Sequence, residues 1–164
     1  MSSFDQLLSK LSTRLINSQG SETSQCVSEV IAAYGDYCQA DRCYIFEFNE
    51  DITSMSNTFE WVRKGFTRHI NDLQNVGHDD LPYFFATMRN DFRFVCPEVS
   101  RLPDSAKAER DEFEREQIKS VLCIGLVAKG RLLGFVGCDK VRQKYHWTEE
   151  DIQHLSLIAD MIAN

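Results

Sequence analysis

Two apolar segments joined by a Lys-Gly dipeptide constrain the fold of this chain more than any other feature. The segments run from Ser120 to Ala128 and from Arg131 to Asp139, on either side of Lys129-Gly130. Two β-rich runs separated by two turn residues are typical of a β-hairpin. Because both runs are apolar at nearly every position, both faces of the hairpin should be covered. We therefore predict that it forms the centre of a sheet, with helices on one face and a pocket on the other.

Three glycines lie inside the predicted hairpin strands, at Gly125, Gly134 and Gly137. Glycine weakens a strand unless some other group must approach the backbone closely. We expect these positions to lie against a helix, another stretch of backbone or a ligand.

Apolar periodicity and turn residues assign the other elements around the hairpin. In chain order, we predict helices at 1–17 and 21–38, strands at 42–48 and 55–62, a short helix at 81–88, a strand at 92–95, a helix at 102–117, the two hairpin strands, and a helix at 148–164. This order predicts an α+β fold with a central antiparallel sheet of five or six strands and helices on both faces. The first, second and last helices should pack on one face, and the short helices should close the other.

Side chains along a strand point alternately to the two faces of the sheet, which gives the second predicted strand two faces. Alternation from Met55 onward places one set of side chains on one side of the sheet, namely Met55, Asn57, Phe59 and Trp61. The helix at 102–117 is rich in charge, and we expect it to bury little except Ala106 and Phe113.

Length and composition point to one cytoplasmic domain spanning residues 1–164. The net charge of −7 argues against binding to nucleic acid or to an anionic membrane, because both require a basic surface. There is no run of 18 apolar residues and no signal-peptide pattern, so membrane insertion is not expected. The six cysteines form no C-x-x-C pair, and we interpret them as buried thiols in a reducing compartment.

The sequence contains none of the common catalytic motifs. There is no phosphate-binding P-loop, no H-E-x-x-H and no G-x-S-x-G, and the four histidines are scattered. We therefore predict no catalytic residues and no metal site.

Aromatic side chains on the less covered face of the predicted sheet are the best candidates for a binding site. Ligand pockets are mostly apolar with a few well-placed polar groups. The aromatic candidates are Tyr44, Phe46, Phe59, Trp61, Phe84, Phe85, Phe94 and Phe135. Polar groups could come from Arg42 and Asp139, which we include as ligand-binding candidates, and from Asn57, Arg93 and Ser120. The alternative is that the aromatic residues form a filled hydrophobic core.

The two terminal helices have features that suggest roles beyond the core. The helix at 1–17 has a narrow apolar stripe, which is compatible either with packing on its own domain or with pairing against a second subunit. The helix at 148–164 begins with a capping box at Thr148 and Asp151, and no glycine or proline ends it. Such a helix favours continuation into an output domain.

Short sequence segments spread over almost the whole chain resemble GAF domains. These segments are Ala40-Asp41-Arg42, Glu60-Trp61-Val62 with Gly65, Val95 to Pro103, Gln117 to Leu122, Gly134 to Gly137, and Trp147 to Leu155. The resemblance is to sensor modules of bacterial signalling proteins, in which GAF domains are fused to GGDEF, histidine kinase (two-component) or PAS segments. It implies a GAF/PAS-like (profilin-like) sheet of six strands, a ligand pocket between the sheet and the short helices, and a homodimer formed through the terminal helices.

The resemblance leaves three functions open. The first is a non-catalytic sensor that binds an unidentified small molecule and signals through its terminal helices. The second is a thiol-dependent enzyme similar to free methionine sulfoxide reductases, using Cys96 and Cys123. The third is a ligand-free dimerisation module. Neither the Asn-Lys…Phe…Asp-Glu signature of cyclic-nucleotide-binding members nor the Asp-Ile-Pro and Cys-His features of bilin-binding members is found, so no particular cofactor is predicted.

Overall fold

The computed structural model describes residues 2–164, so Met1, the first residue of the predicted helix at 1–17, lies outside the described part. The elements are α1 (Ser3–Ile16), α2 (Glu22–Tyr37), β1 (Arg42–Phe48), β2 (Ser54–Val62), β3 (Val76–Gly77), α3 (Pro82–Asp91), β4 (Arg93–Cys96), α4 (Lys107–Arg115), β5 (Ser120–Ala128), β6 (Arg131–Lys140) and α5 (Glu149–Ala163). Two short 3-10 helices, Val99–Arg101 and Asp104–Ala106, precede α4. Within residues 2–164, no helix is long and apolar enough to cross a membrane.

The six strands form one antiparallel sheet in the order β3-β2-β1-β6-β5-β4. The predicted hairpin is confirmed, and β6 lies at the middle of the sheet between β1 and β5. The glycine prediction holds at Gly134, where a Cβ would collide with the carbonyl oxygen of Phe46 on β1. Glycine at this position therefore lets β6 and β1 approach closely.

Three helices cover one face of the sheet, as predicted. Helices α2 and α5 bury Val30, Ile31, Leu155 and Ile158 against the strands, and α1 packs across them through Phe4 and Leu11. The structure shows the first helix packed on its own domain, and its pairing against a second subunit stays a prediction.

A second core lies on the opposite face, under α3, α4 and the segment 63–75 that connects β2 to β3. It contains the three largest apolar residues of α3, Phe84, Phe85 and Met88, together with Phe135 from β6. The sheet is therefore covered on both faces, which explains why its central strands are apolar throughout.

A β-bulge in β2 changes the predicted orientation of its side chains. Phe46 pairs with Asn57 and Ile45 pairs with Phe59, which leaves Thr58 as an extra residue. Because an extra residue reverses the alternation of side chains, Phe59 and Trp61 pack into the helix-side core. Their predicted place on the pocket side is therefore wrong. A Cβ on Gly35 of α2 would lie 2.6 Å from the Trp61 ring, which shows how closely this helix packs.

Candidate functional site

A cavity of about 310 Å³ lies between the sheet and the short helices. Its walls come from all strands except β4, from α3 and α4, and from the segments that flank them. One part of the wall is apolar, formed by Phe46, Met55, Leu73, Val76, Leu81, Phe84, Phe113, Ile118, Cys123 and Phe135. The rest is polar, formed by Arg42, Tyr44, Asn57, Glu60, His69, Asp72, Asp80, Glu112, Arg115, Glu116 and Asp139.

Arg42 organises the polar wall and is 1% exposed. Its guanidinium donates from Nε to the carbonyl oxygen of Thr67 (2.8 Å), from Nη1 to Asp139 Oδ2 (3.2 Å), and from Nη2 to the carbonyl oxygen of Glu116 (2.9 Å). One buried side chain thus ties the segment after β2 and the end of α4 to the centre of the sheet. The antiparallel pairing of β1 with β6 makes the ion pair possible, because Arg42 on β1 lies directly opposite Asp139 on β6.

Asp139 also accepts a hydrogen bond from the hydroxyl of Tyr44, with 2.5 Å between Oη and Oδ1. Burial raises the pKa of Asp139 to about 6, although the charge of Arg42 and the hydrogen bond from Tyr44 oppose the rise. Burial and the neighbouring Asp139 also raise the pKa of Tyr44 well above its usual range. Tyr44 therefore remains a hydrogen-bond donor at neutral pH.

A polar latch, formed by Asp72, Glu112 and Arg115, closes part of the cavity. Arg115 Nη2 donates to Asp72 Oδ2 (3.0 Å) and to Glu112 Oε2 (2.7 Å), so the latch joins the segment between β2 and β3 to α4. Beneath it, burial, a hydrogen bond to Glu112 and the charge of Asp139 raise the pKa of Glu116 to about 10. Burial also acts to raise the pKa of Glu112, but hydrogen bonds with Glu116 and Arg115 outweigh it and lower that pKa. At neutral pH the pair therefore holds one proton, on Glu116.

Two residues of the wall carry buried polar atoms without a protein partner. Asn57 is 3% exposed, and its Oδ1 accepts no hydrogen bond from the protein. The ring of His69 has Nδ1 3.5 Å from Asp72 Oδ2 but no partner for its buried Nε2. An unpaired buried polar group costs about 1–3 kcal/mol. Such groups are rare in folded proteins, and a water molecule or a bound ligand can pair with them.

The GAF domain family model matches residues 22–164. This chain belongs to the GAF domain family. The resemblance drawn from the sequence is thereby confirmed, and domains of this family are generally sensory rather than catalytic.

A histidine kinase contains a sequence similar to this GAF domain. The methanogenesis regulatory histidine kinase FilI of Methanothrix harundinacea (strain 6Ac) is 28% identical over 147 residues. The match covers 86% of the chain described here and 16% of the kinase, so the GAF domain corresponds to a small part of that relative.

Solved GAF domains share the fold. A phycoerythrobilin-bound GAF domain from a cyanobacterial phytochrome superposes with a TM-score of 0.77 at 15% identity, covering 98% of this chain and 92% of the other. The photoproduct state of a GAF domain from Synechocystis sp. PCC6803 gives a TM-score of 0.71 at 19% identity, covering 85% of this chain and 90% of the other. At these identities the likeness concerns the fold alone.

The GAF domain brings together seven of the thirteen side chains proposed from the sequence. Those on the cavity wall are Arg42, Tyr44, Phe46, Asn57, Phe84, Phe135 and Asp139, whereas Arg93 and Ser120 do not line it. Phe85 and Phe94 belong to the core on the same side of the sheet but do not line the cavity. Phe59 and Trp61 lie on the opposite side because of the bulge in β2.

Sequence reasoning missed the contribution of α4 and of the segment between β2 and β3. Besides Ala106 and Phe113, the GAF domain buries Glu109, which is 0% exposed, and Glu116, which is 7% exposed. Glu109 Oε2 accepts the backbone N–H of Phe84 (3.0 Å) and so caps the start of α3 from a neighbouring helix. The signal that could have found Glu116 is its position three residues after Phe113, on the same helical face.

The cysteines of the GAF domain lie in two separate places. Cys123 lines the cavity, and burial together with the charge of Asp139 raises the pKa of its thiol well above the usual range. Burial likewise raises the pKa of Cys96 to about 11. The sulfur atoms of Cys43 and Cys138 are 3.7 Å apart, but they belong to the helix-side core.

Proposed function

We propose that this GAF domain is a non-catalytic sensor that binds a small molecule in the cavity and transmits the bound state through its terminal helices. The observation that carries the proposal is that the same strands serve both faces. On β1, Tyr44 and Phe46 line the cavity, while Cys43 and Ile45 between them pack into the helix-side core. A ligand that shifts β1 therefore acts directly on the packing of α2.

The path from the cavity to α5 is short. Asp139 on the cavity wall is the second-last residue of β6, and the chain then runs to the N-cap of α5 at Thr148. This connection is fastened to the sheet by two hydrogen bonds, from Tyr145 N to Ser120 Oγ (2.7 Å) and from Trp147 Nε1 to the carbonyl oxygen of Cys96 (3.1 Å). A change at Asp139 would be passed to α5 through a restrained segment.

The terminal helices support a role in assembly and output. Phe4 of α1 stacks on His154 of α5 with 3.7 Å between ring centroids, so the two helices respond together. Ile16 is 81% exposed and Leu157 is 39% exposed, which favours a homodimer formed through these helices. Because the kinase FilI contains a similar sequence, we propose that α5 leads to an output domain such as a histidine kinase.

The thiols favour sensing over the thiol-dependent chemistry of a methionine sulfoxide reductase. A nucleophilic cysteine needs a lowered pKa and access to substrate. Cys123 lines the cavity, but burial raises the pKa of its thiol. Burial also raises the pKa of the Cys96 thiol. The same property of Cys123 argues against a thioether-linked bilin of the kind a light receptor would carry.

The cavity volume of about 310 Å³ is near the lower end of the range for small-molecule pockets, about 300–1,000 Å³.

A fragment screen by ligand-observed NMR tests whether the cavity is the binding site. Leu73→Trp introduces an indole into the cavity wall, and Leu133→Trp makes the same change on the exposed side of β6. Aromatic fragments should bind the wild type and Leu133→Trp but not Leu73→Trp. Absence of any bound fragment, or binding that survives Leu73→Trp, would contradict the proposal.

Hydrogen exchange tests transmission. The amides of α1 and α5 should change in protection when a cavity-binding fragment is added, because a ligand shifts an equilibrium by its difference in affinity for two states. Unchanged exchange in both helices at saturating fragment would refute transmission while leaving binding intact.

A further inference from the structure

We infer that the cavity selects uncharged or cationic planar molecules that carry N–H donors, and that it rejects carboxylates and phosphates. The inference rests on the proposed function, because it names the ligand class for the same cavity. It is carried by the charges of the wall and by the two unpaired atoms described above.

Acidic groups dominate the wall. Six carboxyl groups line the cavity, Glu60, Asp72, Asp80, Glu112, Glu116 and Asp139. Glu116 holds a proton at neutral pH, and the other five still outnumber the two guanidiniums of the wall. Like charges brought together in a desolvated site cost several kcal/mol. An anionic ligand would therefore enter a region that already holds excess negative charge.

The two guanidiniums are already engaged by the protein. Arg42 donates to Asp139 and to two backbone carbonyl oxygens, and Arg115 donates to both carboxylates of the polar latch. A carboxylate ligand that binds either guanidinium would therefore share it with a carboxylate of the protein that already pairs with it. Two carboxylates on one guanidinium leave one negative charge uncompensated in a partly buried site.

The two unpaired atoms are hydrogen-bond acceptors, which a ligand can pair by donating. Because Asp72 Oδ2 lies 3.5 Å from Nδ1 of His69, it favours the tautomer with the proton on Nδ1, in which Nε2 is an acceptor. Asn57 Oδ1 is the second acceptor without a partner. A ligand N–H group that reaches either acceptor would remove the desolvation cost of that atom.

The apolar part of the wall defines the body of the ligand. Phe46 and Phe135 are stacked with centroids 4.9 Å apart, and Phe84 lies edge-on to Phe135 at 5.1 Å. All three rings line the cavity. Aromatic pairs favour such stacked and edge-to-face contacts, which a planar ring can extend.

Three probes of nearly equal shape test the inference, namely benzamidine as its chloride, benzamide and sodium benzoate. Their charges at pH 7 are positive, zero and negative. Titration followed by protein NMR should rank benzamidinium above benzamide, with benzoate at least about tenfold weaker than benzamidinium, since like-charge contacts cost several kcal/mol. Benzoate binding as tightly as benzamidinium would overturn the inference and leave the proposed sensor intact. Failure of all three to bind would count against the proposed sensor as well.

Two matched variants locate the binding. Asn57→Leu removes the acceptor from the cavity wall, and Asn90→Leu makes the same change on the exposed surface of α3. Asn57→Leu should weaken benzamidinium binding at least about threefold, the lower range for a lost hydrogen bond, and Asn90→Leu should not change it. Equal affinities in both variants would overturn the assignment of Asn57 as a ligand contact.

Discussion

Replacing Asn57 by leucine should make the unliganded protein more stable. The change removes a buried amide whose Oδ1 has no protein partner and substitutes an apolar side chain of similar shape. The backbone hydrogen bond from Asn57 N to the carbonyl oxygen of Leu73 does not depend on the side chain and should remain. The substitution therefore removes a cost without removing a contact that the protein makes.

The expected gain follows from the cost of an unpaired buried group, about 1–3 kcal/mol. For a domain of this size, 1 kcal/mol corresponds to roughly 2–4 °C in the melting temperature. Asn57→Leu should therefore raise the melting temperature by about 2–12 °C. Urea denaturation should show a higher midpoint with an unchanged slope, because the surface exposed on unfolding hardly changes.

Asn90→Leu is the control, since a substitution on an exposed surface usually changes stability by less than about 0.5 kcal/mol. A fall in the melting temperature of Asn57→Leu, with Asn90→Leu unchanged, would refute the reasoning. It would mean that Asn57 stabilises the unliganded fold and is not held ready for a ligand.

Three further predictions concern groups around the cavity. Arg42→Met leaves Asp139 buried without its counter-ion and should lower the free energy of unfolding by about 3–5 kcal/mol in urea, whereas Arg42→Met with Asp139→Leu should lose less; equal losses would show that the pair is not coupled. Because burial raises the pKa of Glu116 to about 10 from 4.5, the folded state keeps a proton that the unfolded chain releases, and stability from this group falls as pH rises between those values. Glu116→Gln should therefore gain in melting temperature relative to wild type from pH 6 to pH 9, and the exposed Glu114→Gln should run parallel to wild type; a parallel course for Glu116→Gln would refute the shift. Gly134→Ala should lower the denaturation midpoint markedly, because a Cβ there meets the backbone of β1; an unchanged midpoint would show that the strands can separate.

The central hairpin could be predicted because residues close together in the sequence specify it. Two apolar runs and a two-residue turn specify β5 and β6, and the strand glycine at Gly134 marks a close approach that the structure contains. Arg42 and Asp139 could each be named as polar residues near strand ends. Their pairing could not, because it depends on the register of β1 against β6.

The remaining parts of the site depend on residues that no helical or strand periodicity in the sequence reveals. His69 and Asp72 belong to the segment between β2 and β3, which follows no helical or strand pattern, so nothing in the sequence placed them at the cavity. No sequence feature marks the bulge at Thr58 either, yet the bulge decides on which side of the sheet Phe59 and Trp61 lie. Burial of Glu109 and Glu116 contradicts the usual preference of charged residues for the surface.

The bulge at Thr58 also decides which substitutions in β2 reach the cavity. Before it, Met55 and Asn57 line the cavity; after it, Glu60 lines the cavity, while Phe59 and Trp61 support the helices. Substitutions at 55 and 57 can therefore be explored in a library without disturbing the helix-bearing layer. Deleting Thr58 would restore the regular alternation and turn the residues on one side of the deletion to the opposite face of the sheet.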